Sequence, residues 1–150
     1  MIPVLAKTLL SGSAVSLVTS VALAALASRE GRHAVQPLNS TSHWYAGEDA
    51  GRSQAVDLRH TVGGYATHHA ASVLWAAVFE AVRRIRPGGP PLGHAVAVSA
   101  LAALVDYGVV PKRLTPGWEH VVTPRSIALT YAAMAVTLAI VGTRGRGRRG

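Results

Sequence analysis

Residues 65–80, YATHHAASVLWAAVFE, set two adjacent imidazoles and one carboxylate into an otherwise apolar run. Histidine and carboxylate side chains exchange protons or hold cations near neutral pH. A second apolar run, residues 92–110, carries His94 and Asp106. Between the two runs lies RRIRPGGPP, whose Gly88, Gly89, Pro90 and Pro91 break any helix and predict a tight hairpin. Residues equally far from that turn share a depth. His68 is then level with Asp106, and Glu80 is level with His94, the two pairs standing roughly 18 Å apart along the axis. A charge alone at mid-bilayer costs roughly 2.5–3.5 kcal/mol on insertion scales, so acid and imidazole at one level are expected to face each other.

Adjacent helical residues point about 100° apart, so His68 and His69 cannot share one partner. His69 lines up with Ser72, Ala76 and Glu80, and its expected partners lie on other helices among Ser16, Thr19, Ser20, Thr130, Tyr131 and Thr137. His68, His69, Asp106, Glu80 and His94 together form a candidate proton or small-cation site. Plainer roles are open to each of them. Glu80 and Arg84 have the i, i+4 spacing of an interfacial ion pair, His94 could reach the headgroups, and Asp106 could end its helix.

A metal is the second chemistry to weigh. His43, His60, His68, His69, Asp106 and His120 would fall toward one side of a membrane, and zinc takes three or four such ligands. No compact spacing such as HExxH is present, so a site would have to be assembled from several segments. A haem between two histidines needs them level on facing helices. The first and fourth apolar runs have none, which argues against haem within one chain, although a homodimer could pair His69 with its mate. Cysteine chemistry is excluded, because the chain has none. No nucleophile–base order and no phosphate-binding glycine loop is present.

The elements that must carry these groups are four apolar runs, residues 4–27, 61–82, 92–110 and 126–142. A membrane helix takes about 20 mostly apolar residues. The composition agrees: 49% hydrophobic and only 15% charged, against about 25% charged in soluble domains. A soluble bundle would need a polar stripe on each helix, and residues 8–28 and 126–142 carry no charge on any face. The expected fold is an all-α integral membrane four-helix bundle made of two helical hairpins, as one domain with a flexible basic tail from residue 143 to 150.

Lys7, the apolar stretch after it and Ala25-Leu26-Ala27 resemble a cleavable signal peptide, but the stretch exceeds the usual 7–15-residue signal core. Gly12, Ser13, Ser16 and Ser20 also form a small-residue stripe suited to close packing of a retained helix or of a homo-oligomer.

The net charge is +8, with the basic residues between the apolar runs. This fits anionic lipid headgroups, and no nucleic-acid motif is present. Lys and Arg divide eight to seven between the two sides, but RRIR and RGRGRR sit directly at helix ends on one side, and Glu30, Glu48, Asp49, Asp57 and Glu119 lie on the other. The positive-inside rule then puts both termini in the cytoplasm. Trp44, Tyr45 and Trp118 suit a headgroup belt, and their two loops could form a lid over His68 and Asp106.

In LNSTSHWYAGEDA, HTVGGYATHHAASVLWAAVFE and DYGVVPKRLTPGWE the chain resembles small multi-pass inner-membrane proteins of high-GC proteobacteria. The resemblance implies a bacterial inner-membrane address and no activity. Three functions remain in view: a membrane protein binding or relaying protons or a small cation, a metal-dependent membrane enzyme working from the outer face, and an assembly subunit without a site.

Overall fold

A computed structural model describes residues 3–142, so the expected basic tail lies outside the described residues. Six α-helices follow in order: α1 (Val4–Arg29), α2 (Gln36–Thr41), α3 (His43–Ala46), α4 (Gly63–Ile85), α5 (Pro91–Leu104) and α6 (Pro124–Val141). Short 3₁₀ turns and two wider π-turns join them, and no strand occurs among the described residues.

The four long helices form a closed ring in which α1 packs on α4 and α6, while α5 packs on those same two from the other side. The ring runs up and down. The end of α1 meets the start of α6, where the Glu30 carboxylate accepts hydrogen bonds from the Thr123 backbone N–H at 2.9 Å and the Thr123 hydroxyl at 2.8 Å. Those hydrogen bonds, with one from the Ser126 hydroxyl, hold Glu30 below the usual carboxylate pKa range. The segments after α1 and after α5 cover one end of the bundle. The start of α1, the 86–90 turn and the end of α6 lie at the other.

The ring turns large aliphatic side chains outward and buries small hydroxyl residues among its apolar core. Helix α1 buries Thr8, Ser11, Ser16 and Thr19 and exposes Leu5, Leu10, Leu17 and Val21. Helix α6 repeats the pattern, with Ser126, Thr130 and Thr137 buried and Leu129, Val136 and Ile140 exposed. Water would favour the reverse arrangement. Three helical segments are long and apolar enough to cross a membrane: Val4–Arg29, Pro91–Val109 and Pro124–Val141. Helix α4, expected as a fourth span, is 23 residues long. Glu80, Arg83 and Arg84, together with its two histidines, leave it less apolar than the other three.

Close packing of α1 on α4 depends on Gly12. A β-carbon there would lie 2.6 Å from Val73 Cα, inside the contact distance of two carbons. Further along the bundle, Val15, Leu23, Phe79, Met134 and Leu138 fill the centre.

Candidate functional site

The two histidines that interrupt the α4 apolar run are bound to α1. His68 Nε2 lies 2.9 Å from the Thr19 hydroxyl, whose own hydrogen goes to the Val15 carbonyl at 2.7 Å. The Thr19 oxygen therefore accepts, His68 donates through Nε2, and Nδ1 is left as the acceptor of the neutral ring. His69 Nδ1 lies 2.9 Å from the Ser16 hydroxyl, which donates to the Ser13 carbonyl at 2.9 Å. His69 thus donates through Nδ1, the opposite tautomer. Tyr65 OH is 3.2 Å from the same hydroxyl, and its ring stacks on His69.

Asp106 sits where regular α-helix ends. Residues Val105–Val109 form a π-turn, closed by the Val110 N–H on the Val105 carbonyl at 3.0 Å. The wider turn carries Asp106 toward α6, and its Oδ2 accepts from Tyr131 OH at 2.6 Å. The expected His68–Asp106 ion pair does not form, because Thr19 and Tyr131 are the partners instead. The expected Glu80–His94 pair is also absent. Glu80 Oε1 and His94 Nδ1 are buried with no hydrogen-bond partner among the described residues, and the His94 ring lies against Gly89 in the turn. Equal depth in an antiparallel hairpin fixes height but not the face a side chain occupies, and the faces of these residues differ.

His68 and Asp106 nevertheless line one cavity of about 240 Å³. Its walls include Thr19, Trp75, Thr130 and Met134, and its roof is built from the loops. Gly117, at φ +80°, turns the backbone in the left-handed region that glycine favours. The next residue, Trp118, then enters the bundle. Trp118 is buried, correcting the expectation that it belongs to a headgroup belt. Its indole N–H donates to Thr41 Oγ1 at 3.1 Å, and its ring meets His68 edge-on at 5.5 Å and Tyr131 at 6.0 Å. Trp44 joins the roof, with its N–H on the Thr115 carbonyl at 3.0 Å. All three tryptophans of the chain therefore line this one cavity. Trp44, Leu114 and Leu74 are each exposed as well as lining, so the mouth lies along the edge they share.

Asn39 fixes the roof. This fully buried side chain donates to the Ser53 and Ala55 carbonyls, each at 2.9 Å, and accepts from Thr61 at 2.8 Å. It holds residues 53–61 against α2, which in turn presents Thr41 to Trp118.

The histidines outside α4 and α5 lie apart from this cavity. His60 Nδ1 is 2.9 Å from Asp57 Oδ2, and the His60 backbone N–H and imidazole hold that carboxyl below its usual range. His43 Nδ1 bonds the Ser40 carbonyl at 2.8 Å. His43 and His120 share a second, polar pocket of about 430 Å³ with Glu48, Asp49, Arg52 and Lys112. The expected metal set is thus divided among four places, with His69 held at Ser16 outside the cavity, and no three His, Asp or Glu side chains gather to hold a metal among the described residues.

Sequence reasoning named Ser16 and Thr19 among the histidine partners, but Tyr131, named with them, bonds Asp106 instead, and Trp75 and Met134 were missed as cavity walls. Both sit in runs where every neighbour is apolar, and composition does not distinguish a lipid-facing side chain from a cavity-facing one. Comparisons with protein-family models, curated proteins and solved structures find no match for the chain.

Proposed function

We propose that the chain is an integral membrane protein that crosses the bilayer with all four long helices and binds a small membrane-soluble molecule in the Trp-lined cavity. The observation that carries the reading is this cavity. It is an almost wholly apolar space that contains a few fixed polar groups, His68, Asp106 and Tyr131, which is how ligand pockets are generally built. The large aliphatic side chains on the outside of the ring, with hydroxyls buried inside it, support the bilayer as its surroundings. For α4, the two histidines and Glu80 face α1 or the bundle interior, and the exposed Arg84 lies in the last turn, where a long basic side chain reaches the headgroups. Binding is favoured over a proton or ion relay. His68 and Asp106 lie near the roofed end, Glu80 and His94 lie near the other, and no chain of hydrogen bonds joins them among the described residues.

The orientation we propose has the roofed end outside a bacterial inner membrane and both termini in the cytoplasm. Arg83, Arg84 and Arg86 crowd the short turn at the open end, whereas the seven Lys and Arg of the roofed end are spread through the longer segments together with Glu30, Glu48, Asp49, Asp57 and Glu119.

The absence of cysteine makes the test direct. Single cysteines replacing Gly88 and Asp49 should react with a membrane-impermeant maleimide from opposite sides of sealed vesicles. Labelling of both from one side would overturn the four-span reading. Binding is tested by filling the space. Ala71 lines the cavity, and Ala71→Phe should abolish tryptophan-emission changes caused by small amphiphiles in the purified protein. An unchanged response would refute the cavity as the site.

A further inference from the structure

We infer that the molecule taken up by the Trp-lined cavity is a small organic cation, an alkyl- or arylammonium, held between the Asp106 carboxylate and the indole faces. The inference rests on the binding reading above and specifies its ligand. The first ground is charge. The chain has 15 Lys and Arg against 7 Asp and Glu. Yet no Lys or Arg lines this cavity, and Asp106 is its one formal charge. The local sign is opposite to that of the molecule as a whole.

The second ground is how that charge is held. Tyr131 OH donates to Asp106 Oδ2 at 2.6 Å, a hydrogen bond that favours the carboxylate over the acid. Oδ1 receives no hydrogen bond among the described residues, so one carboxylate oxygen remains for a ligand. His68 is buried against Trp118 and bonded to the neutral Thr19 hydroxyl, with no carboxylate as a partner to hold a second proton on its ring. An anionic ligand would find no cation here, and a neutral one would leave a carboxylate buried without a counter-charge, which is costly.

The third ground is the wall. Trp44, Trp75, Trp118 and Tyr131 surround the space. The negative faces of such rings attract cations, Trp most strongly, and desolvated examples are worth about 2 kcal/mol or more. The cavity, at about 240 Å³, is just below the ~300–1,000 Å³ usual for drug-sized ligands. It therefore selects a small cation with an apolar body.

The test compares isosteres on the full-length protein in zwitterionic lipid nanodiscs. Tryptophan emission is titrated with benzyltrimethylammonium and with neopentylbenzene, which has the same shape with carbon in place of the charged nitrogen. The cation should bind at least tenfold more tightly. Asp106→Asn should remove that preference while the neutral compound binds as before, which also reports that the variant is folded. Equal or tighter binding of the neutral isostere would overturn the cation inference and leave the cavity reading standing. If neither compound binds, both fail.

Discussion

The imidazole of His68 and the indole of Trp118 meet edge to face at 5.5 Å, 50 residues apart in sequence. This contact joins the ring of long helices to the loops that roof it. Trp118 also bonds Thr41, so one side chain ties α4, α2 and the 112–120 loop together.

Replacing Trp118 should therefore be among the most damaging single changes. Trp118→Ala empties a buried indole and should cost about 3–5 kcal/mol. Trp118→Phe keeps a ring but removes the hydrogen bond to Thr41, for about 1 kcal/mol. Thermal unfolding in detergent should order the proteins wild type, Phe, Ala.

Gly12→Ala should destabilise the α1–α4 contact. Its methyl would meet Val73 Cα at 2.6 Å, a backbone atom that cannot swing aside. Overpacking of this kind costs about 1–3 kcal/mol. Leu17→Ala, on the outward face of the same helix, should change the melting temperature little in detergent.

Double-mutant cycles should separate real partners from residues that merely share a level. Ser16→Ala with His69→Phe should show coupling of about 0.6 kcal/mol, the mean for hydrogen bonds between membrane helices. His68→Gln with Asp106→Asn, which change the shared cavity little in volume, should be additive within about 0.5 kcal/mol, since no hydrogen bond or ion pair joins the two side chains. Appreciable coupling there would show that the two groups do interact.

Acid should loosen the junction of α1 and α6. The folded-state pKa of Glu30 is depressed, so its contribution is fully present above its ordinary value of 4.5 and is lost as pH falls through the lower folded value. The wild-type melting temperature should fall across that window. Glu30→Gln, lower at neutral pH, should show a smaller fall.

The long helices were legible because a run of apolar residues has one economical fate. α1 was expected over residues 4–27 and ends at Arg29, and the fourth run, expected over 126–142, occupies Pro124–Val141. Ser16 and Thr19 were legible as partners because small hydroxyl residues in a lipid-bound helix have few other places to go. The pairing of Asp106 was not, because it turns on the π-turn at Val105–Val109, and a single wide turn leaves no periodic trace. The roof was the least legible part. Nothing in residues 36–41 alternates or repeats, and α2 is held by Asn39 reaching carbonyls 14 and 16 residues away. The fate of Trp118 depended on that roof.

The hydroxyls of α1 have a bearing on biogenesis. Helix α1 carries no charge beyond Lys7 until Arg29, so it can partition into the bilayer by itself. Helix α4, with His68, His69 and Glu80, is a poor candidate for solitary insertion. In the proposed four-span arrangement, because α1 precedes α4 in the chain, Ser16 and Thr19 would stand in the lipid as a docking template when the two imidazoles arrive. Stripping both hydroxyls should then impair not only the finished protein but also the integration of the helix that follows.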